Sequence, residues 1–213
     1  APFTAVVNGT TVTVTPPAPN TTSDDIVRTM TVSVAGGNSR EVTLTQFAAG
    51  SGGDTKGIYT SMSQFIPAST STTDRYYPSN STIDGQPATG FKLGTSSLAG
   101  VFTSEALGAS LTGDKKLSFY AVAWTGKAAT VYIRVNNGGA VSGDGSHAIT
   151  ASAGATGSGN DFTFTDVTDS DYYTFQLTGL TAASTVTIST SPDFTAASDR
   201  NTGRAIVLGV QVY

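Results

Sequence analysis

Acid–base catalysis requires titratable side chains that are held close together, and this sequence offers few of them. The single histidine, His147, lies in the turn-rich stretch 142–147, and no nucleophile motif surrounds any serine. Glycoside hydrolysis needs two carboxyl groups that flank the scissile bond, whereas the only glutamates, Glu41 and Glu105, are far apart in the chain. The sequence therefore predicts a protein without enzymatic activity.

The densest acidic cluster consists of Asp166, Asp169 and Asp171, just before a predicted strand. Oxygen ligands at this spacing suit calcium, which binds about six to eight oxygens, although the EF-hand loop pattern is missing. Turn formation, in which aspartate side chains accept hydrogen bonds from the backbone, explains the same residues. We therefore expect no cofactor, and a structural calcium ion at these aspartates is the alternative.

Aromatic residues give the strongest prediction of a binding site. Two alternating segments, 117–124 and 130–136, flank a loop of about five residues, and this spacing predicts a β-hairpin in which Trp124 pairs with Thr130. That register gives one face apolar side chains that suit a core: Leu117, Phe119, Ala121, Ala123, Val131, Ile133 and Val135. It places four side chains on the other face: Tyr120, Trp124, Tyr132 and Arg134. Sugars bind such faces because their C–H surfaces stack on aromatic rings while their hydroxyls form hydrogen bonds. Alternatively, neighbouring strands and loops cover both faces.

A second aromatic group lies in the polar stretch 69–84, which we predict to be a long loop. Tyr76 and Tyr77 follow Arg75 there, so that two phenol rings stand beside a guanidinium group. Loops that carry paired tyrosines can form the rim of a binding site. They can equally be loops that aromatic side chains fix to the protein.

The elements that position these residues are strands. In the first 47 residues, Thr alternates with Val, a pattern that predicts a strand at 10–15 and a hairpin formed by 27–34 and 41–47 around Gly36-Gly37-Asn38. Residues 48–53 are Ala, Gly and Ser with no apolar period, so we predict a linker there. The predicted domains are therefore residues 1–49 and 54–213.

The second domain contains about eight predicted strands separated by Gly, Asn and Asp turns. They are 91–93, 101–103, 117–124, 130–135, 162–164, 172–177, 185–189 and 204–213. This number and spacing are typical of a jelly-roll or related β-sandwich. The fold class is therefore all-β.

Four segments of the first domain resemble the BACON family of immunoglobulin-like modules. These segments are Val12-Thr13-Val14-Thr15, Asn20-Thr21-Thr22-Ser23, Arg28-Thr29-Met30-Thr31-Val32 and Val42-Thr43-Leu44-Thr45-Gln46. The match covers the last half of such a module, since this architecture takes roughly 90 to 100 residues. The layout of 54–213 is similar to the galactose-binding-like sandwiches that follow BACON segments in surface proteins of gut anaerobes. The resemblance implies a location on the cell surface and, for many members, a spacer role.

The composition excludes several kinds of partner. The net charge is −4 and the isoelectric point is about 4.7, so the chain lacks the basic surface that nucleic acids require. No apolar stretch approaches the roughly 18 to 20 residues of a membrane span, and cysteine is absent. The Thr- and Ser-rich, lysine-poor composition is typical of exported bacterial β-proteins. We therefore expect an extracellular or cell-surface-anchored protein.

Three functions fit these expectations. The first is a non-catalytic module that binds a glycan through the aromatic residues. The second is a structural, adhesion or spacer protein whose partner is another protein at the cell surface. The third is an accessory module of an extracellular hydrolase.

Overall fold

The structure is a computed structural model, and it describes residues 3–8, 11–15, 26–33, 37, 39–46, 61–83, 86–124, 129–149, 156–165, 167–196 and 203–213. The chain divides into two compact units, Ala1–Thr55 and Lys56–Tyr213, here called unit 1 and unit 2. The predicted linker at 48–53 lies outside the described residues. The expectation of an all-β protein is confirmed, because the only helical segments in the described ranges are single 3-10 turns such as Ser63–Phe65.

Unit 1 contains four described strands: β1 (Thr4–Asn8), β2 (Thr11–Thr15), β3 (Ile26–Ser33) and β4 (Ser39–Gln46). They form two separate two-stranded sheets, β1 with β2 and β3 with β4, and both pairs are antiparallel. The hairpin predicted around Gly37 is confirmed, with Ser33 opposite Ser39. Sequence reasoning missed β1, although Asn8-Gly9 is a common hairpin-turn dipeptide and Asn8 lies opposite Thr11.

No described residue of unit 1 is fully buried. Four of its valines are exposed: Val6, Val7, Val27 and Val42. Two hairpins of this length cannot bury enough apolar surface to form a core of their own, since an isolated two-stranded hairpin is marginally stable at best. An immunoglobulin-like arrangement of unit 1 therefore remains a prediction.

Unit 2 is a β-sandwich built from twelve described strands. They are β5 (Tyr76–Ile83), β6 (Gln86–Leu93), β7 (Val101–Thr103), β8 (Gly113–Ala123), β9 (Ala129–Asn136), β10 (Ala140–Val141), β11 (Ser146–Ile149), β12 (Thr156–Ser158), β13 (Asp161–Phe164), β14 (Tyr172–Leu180), β15 (Thr185–Ser189) and β16 (Ala205–Val212). An eight-stranded sheet has the order β10-β14-β8-β16-β6-β5-β13-β12, and a four-stranded sheet has the order β11-β9-β15-β7. All eight predicted strands are present. The jelly-roll arrangement itself remains a prediction.

The main core lies between the two sheets. Phe91, Phe119 and Val207 from the larger sheet are fully buried in it together with Val131 and Ile188 from the smaller one. The sequence pattern predicted this inward face correctly, because the odd-numbered residues of 117–123 and of 131–135 are its apolar positions. Each aliphatic or aromatic side chain of this kind stabilises the fold by about 1.5 to 3 kcal/mol through its burial.

The predicted hairpin between 117–124 and 130–136 is wrong. β8 pairs with β14 and β16 in the larger sheet, whereas β9 pairs with β11 and β15 in the smaller one. The connection between these two strands therefore passes from one sheet to the other. A period of two shows which side chains share a face, but it contains no information about which strand lies alongside, so the pairing of Trp124 with Thr130 did not follow.

The predicted long loop at 69–84 is also wrong, because half of it, Tyr76–Ile83, is β5. Its residues Ser79, Asn80, Ser81 and Thr82 are polar and are typical of a loop. In the structure, Ser79 and Ser81 point to one face and are buried, and their hydroxyl groups are 2.7 Å apart in a hydrogen bond. Satisfying each hydroxyl in this way allows polar residues to lie in a buried strand.

A second core covers the outer face of the eight-stranded sheet, the face that points away from the four-stranded sheet. Tyr120, Val122 and Leu208 are buried there beneath Phe164 and Val167. Val167 belongs to the segment that connects β13, near one edge of the sheet, to β14, near the other. That crossover segment therefore runs over the outer face and shields it from water.

The eight-stranded sheet curls over this second core. Phe162 in β13 is four strands away from β8, about 19 Å in a flat sheet with strands about 4.8 Å apart. Its ring nevertheless lies 5.1 Å from the ring of Trp124, which directly follows β8. Between them, the outer face of β5 and β6 carries small residues at three neighbouring positions, Ser79, Ser81 and Gly90. These small side chains leave room for the Phe162 ring to lie over the outer face of β5 and β6.

Gly90→Ala tests how closely the backbone of β16 approaches Gly90 in β6. A Cβ atom at Gly90 would overlap the backbone carbonyl oxygen of Val207 and lie 2.9 Å from the Cα atom of Leu208. We expect a loss of about 1 to 3 kcal/mol or more in the free energy of unfolding, measured by urea denaturation. Gly113→Ala is the control, because that position is open but has a φ of +81°, so strain alone should cost about 1 kcal/mol. Equal losses in the two variants would contradict the close approach.

Candidate functional site

The four residues predicted to share one aromatic face lie on two different sheets. Trp124 and Tyr120 point to the outer face of the eight-stranded sheet, where Tyr120 is only 5% exposed and packs 4.9 Å from the ring of Tyr172. Tyr132 and Arg134 belong to β9 in the four-stranded sheet, where Arg134 lies 4.4 Å from the ring of Phe194. The predicted shared face therefore does not exist, for the same reason that the hairpin register is wrong.

The two tyrosines at 76 and 77 point to opposite faces of β5. Tyr76 points inward, and its ring makes an edge contact with Phe102 at 5.2 Å, so it belongs to the main core. Tyr77 points outward and is half-buried. The structure thus brings Tyr77, from the second predicted group, to the same face as Trp124, from the first.

Tyr77 and Trp124 belong to a group of five side chains that we call the cation–aromatic cluster. Its members are Tyr77, Lys92, Trp124, Phe162 and Arg204. The Lys92 ammonium group lies 4.7 Å from the centre of the Tyr77 ring and 5.9 Å from that of Phe162. The Arg204 guanidinium group lies 4.8 Å from the centre of the Trp124 ring. Each cation is therefore held over an aromatic face, an arrangement worth about 0.5 to 2 kcal/mol.

Strand pairing fixes the positions of these side chains. Lys92 on β6 lies opposite Tyr77 on β5 and opposite Ile206 on β16. The backbone N–H of Trp124 donates to the carbonyl oxygen of Arg204 at 2.9 Å, which continues the β8–β16 pairing by one residue. The cluster therefore stands on rigid, hydrogen-bonded backbone at one end of the outer face, next to the second core. A rigid backbone keeps the entropic cost of ligand binding low.

Among the residues that the structure describes, no acid neutralises the two cations of the cluster. Burial lowers the pKa of Lys92, and the nearby positive charge of Arg204 lowers it further. Burial also lowers the pKa of Arg204, whose Nε is buried and has no hydrogen-bond partner within the described part of the chain. The Lys92 ammonium group donates to the Gly159 carbonyl oxygen at 3.3 Å, which is a weak contact. The site is thus a half-buried region of uncompensated positive charge.

Asp161, which lies next to Phe162 in β13, does not neutralise this charge. It accepts a hydrogen bond from the Asn80 amide at 3.1 Å. Asp161 precedes Phe162 in β13, so the alternation of the strand places its side chain on the face opposite to the cluster. The pattern of strand β13 therefore delivers an aromatic ring to the cluster and keeps the carboxylate away from it.

Sequence reasoning missed three members of the cluster: Lys92, Phe162 and Arg204. Lys92 could have been noticed, because a lysine between two core residues, Phe91 and Leu93, must place its charge on the other face of the strand. Arg204 directly precedes the apolar strand β16 and carries no comparable signal. Phe162 joins the cluster only through the curl of the sheet, which no local pattern encodes.

The predicted calcium residues are only partly described. The Asp171 carboxylate accepts hydrogen bonds from the backbone N–H of Thr168 at 2.8 Å and from its hydroxyl group at 3.2 Å. This is the turn-forming role that was the alternative to calcium binding. Asp166 lies outside the described residues, and for Asp169 only the backbone is described. In the ranges that the structure describes, no three acidic or histidine side chains lie close enough to hold a metal ion.

No protein family, curated protein or solved structure matches this chain. Among the residues with described structure, no helix is long and apolar enough to cross a membrane. Inference about function therefore depends on the geometry and chemistry of the cation–aromatic cluster.

The lowered pKa of Lys92 predicts a pH dependence of stability. Unfolded chains keep the Lys92 proton up to the ordinary pKa of 10.5, whereas the folded protein releases it at lower pH. The unfolded state then binds more protons, so the free energy of unfolding rises with pH across this interval. Urea unfolding at about pH 8 and about pH 10 should show wild type gaining stability relative to Lys92→Met. A constant difference between the two proteins would contradict the lowered pKa.

Proposed function

We propose that this protein is a non-catalytic carbohydrate-binding β-sandwich protein, and that the cation–aromatic cluster of unit 2 is its binding site. The observation that carries the proposal is the position of Trp124. Its ring is half-buried at the end of the outer face, where it makes an edge contact with Phe162 and lies 4.8 Å from the Arg204 guanidinium group. An indole ring supported in this way keeps part of its surface for a ligand.

The chemistry of the cluster suits a sugar. Pyranose rings have C–H faces that pack against aromatic rings, and their hydroxyl groups accept hydrogen bonds from charged donors. Trp124 and Tyr77 supply the aromatic surfaces, and Lys92 and Arg204 supply only donors. Ring stacking and charge-assisted hydrogen bonds each contribute on the order of 1 to 2 kcal/mol, so a single site of this size binds weakly.

The same side chains argue against hydrolysis at this site. Glycosidases place two carboxyl groups on either side of the scissile bond. The cluster contains no carboxyl group, and the Asp161 side chain is on the other face of its strand. We therefore propose a binding role without turnover, at the cell surface or outside the cell, in agreement with the composition and with the BACON-like pattern of unit 1.

A second candidate function is adhesion to, or spacing of, another protein. The exposed valines of unit 1 favour it, because Val6 and Val7 in β1 are 64% and 69% exposed and Val27 and Val42 are also exposed. Exposed apolar side chains offer contacts to a protein partner, and Val6 and Val7 offer them on opposite faces of β1. If the protein has this second function, titration with oligosaccharides gives no binding signal. Substitutions in unit 1, and not those in unit 2, then change the affinity for the protein partner.

Trp124→Ala tests the proposed site. Loss of the indole ring should lower the affinity for a bound oligosaccharide about tenfold or more, since tenfold corresponds to roughly 1.4 kcal/mol. The measurement is isothermal titration calorimetry with ligands chosen from a glycan array, and circular dichroism verifies that the variant is folded. Tyr132→Ala is the control, because it removes a half-buried ring from the other sheet. Equal affinities of wild type and Trp124→Ala would contradict the site.

A further inference from the structure

We propose that the glycan recognised by this site is acidic, and that Lys92 and Arg204 together bind its carboxylate or sulfate group. This inference depends on the proposed function, and it adds the chemical class of the ligand. Lys92 and Arg204 each lie over an aromatic ring of the outer face, at 4.7 Å and 4.8 Å, and the positive charge of Arg204 disfavours the charged form of Lys92. An anion bound near both cations would favour their charged forms. Within the described ranges no carboxylate takes that place.

The cost of this arrangement indicates that it serves binding. Burial disfavours the charged form of both side chains. A half-buried cation loses hydration, and no carboxylate among the described residues compensates either cation. An acidic sugar would supply anionic oxygens that accept hydrogen bonds from the Lys92 ammonium group and from the terminal nitrogens of the Arg204 guanidinium group.

The position of the rings makes the anion part of a sugar rather than a free ion. Lys92 and Arg204 each lie over an aromatic ring, Tyr77 and Trp124 respectively. A pyranose ring that stacks at this end of the face would bring a carboxylate or sulfate substituent within reach of both cations. Stacking and charge pairing then act on one residue of the glycan, which explains why both kinds of side chain occur together.

The charge of the whole protein excludes a general attraction to polyanions. The net charge is −4, so an anionic polymer is repelled at long range and can bind only where positive charge is local. The other cation–aromatic pairs of unit 2 are single. Lys116 lies 5.9 Å from the ring of Tyr213, and Arg134 lies 4.4 Å from the ring of Phe194, each with one cation. In the described structure, two cations meet two rings only at the cluster.

The experiment compares matched acidic and neutral sugars by isothermal titration calorimetry. Oligogalacturonates supply the carboxylate, and the same oligomers with every carboxyl methyl-esterified supply a neutral control of equal length. Dextran sulfate oligomers supply the sulfate without any carboxylate, and unsulfated dextran oligomers of equal length supply their neutral control. We expect at least tenfold tighter binding to one of the acidic ligands than to the neutral ones, and the stronger arm identifies carboxylate or sulfate as the preferred anion.

Variants then assign the preference to the cluster. Lys92→Gln and Arg204→Gln should each reduce the affinity for the acidic ligand about tenfold and leave any weak binding of the neutral ligand within about twofold. Lys116→Gln is the matched control, because it removes one positive charge from the same face, beside a different ring. It should leave the affinity for both ligands within about twofold of wild type. Thermal unfolding verifies that every variant is folded.

The outcomes separate this inference from the proposed function. Equal binding of acidic and neutral sugars that is lost in Trp124→Ala would overturn the acidic preference and leave the carbohydrate site intact. Binding of the acidic ligand that Lys116→Gln weakens as much as Lys92→Gln would overturn it as well, since the attraction would then be unspecific. No binding of any of these sugars would overturn both the preference and the carbohydrate-binding function.

Discussion

The central strands of the eight-stranded sheet, β8 and β16, bury both of their faces, and the arrangement of unit 2 follows from this requirement. In β16 the first six residues, Ala205–Val210, have no face that water reaches. Antiparallel sheets usually expose one face, so an alternation of apolar and polar residues is expected in them. A strand that is apolar on both faces must instead be covered twice, once by the four-stranded sheet and once by something else.

The second cover has a limited extent. The second core packs Phe162, Phe164 and Val167 against Tyr120, Val122 and Leu208. This cover ends near the last residues of the outer face. Trp124 and Arg204 lie at this boundary, where the indole ring packs against Phe162 and remains partly exposed. Binding surfaces commonly combine an apolar interior with a polar rim. The cation–aromatic cluster is thus a consequence of where the cover stops.

The sequence predicted the strands of unit 2 and their inward faces because these features depend on local periodicity. Residues such as Phe119 and Val131 alternate with more exposed neighbours or with residues of the second core, and a period of two places them inward in either case. Local periodicity does not determine which strands pair, as the false pairing of β8 with β9 demonstrates. The strand β5 was missed because its hydroxyl groups bond to one another, as Ser79 and Ser81 do.

The site was predictable only in part, for a related reason. Trp124 and Tyr77 were identified from their residue types, but their partners Phe162 and Arg204 come from distant parts of the chain that the curl of the sheet and the β8–β16 pairing bring together. Residues that the wrong register placed on one face, such as Tyr120 and Arg134, lie on different sheets. Residue type therefore indicated candidates, and topology decided which of them meet.

Trp124 is the only tryptophan of the chain, so its fluorescence reports on the cluster alone. The most direct measurement is a titration of the unmodified protein with an oligosaccharide that calorimetry shows to bind, recording the emission spectrum and its quenching by acrylamide. Our account predicts that the emission changes in proportion to the calorimetric saturation and that bound sugar protects the indole ring from acrylamide. Binding by calorimetry with unchanged emission and unchanged quenching would place the ligand elsewhere and contradict the account.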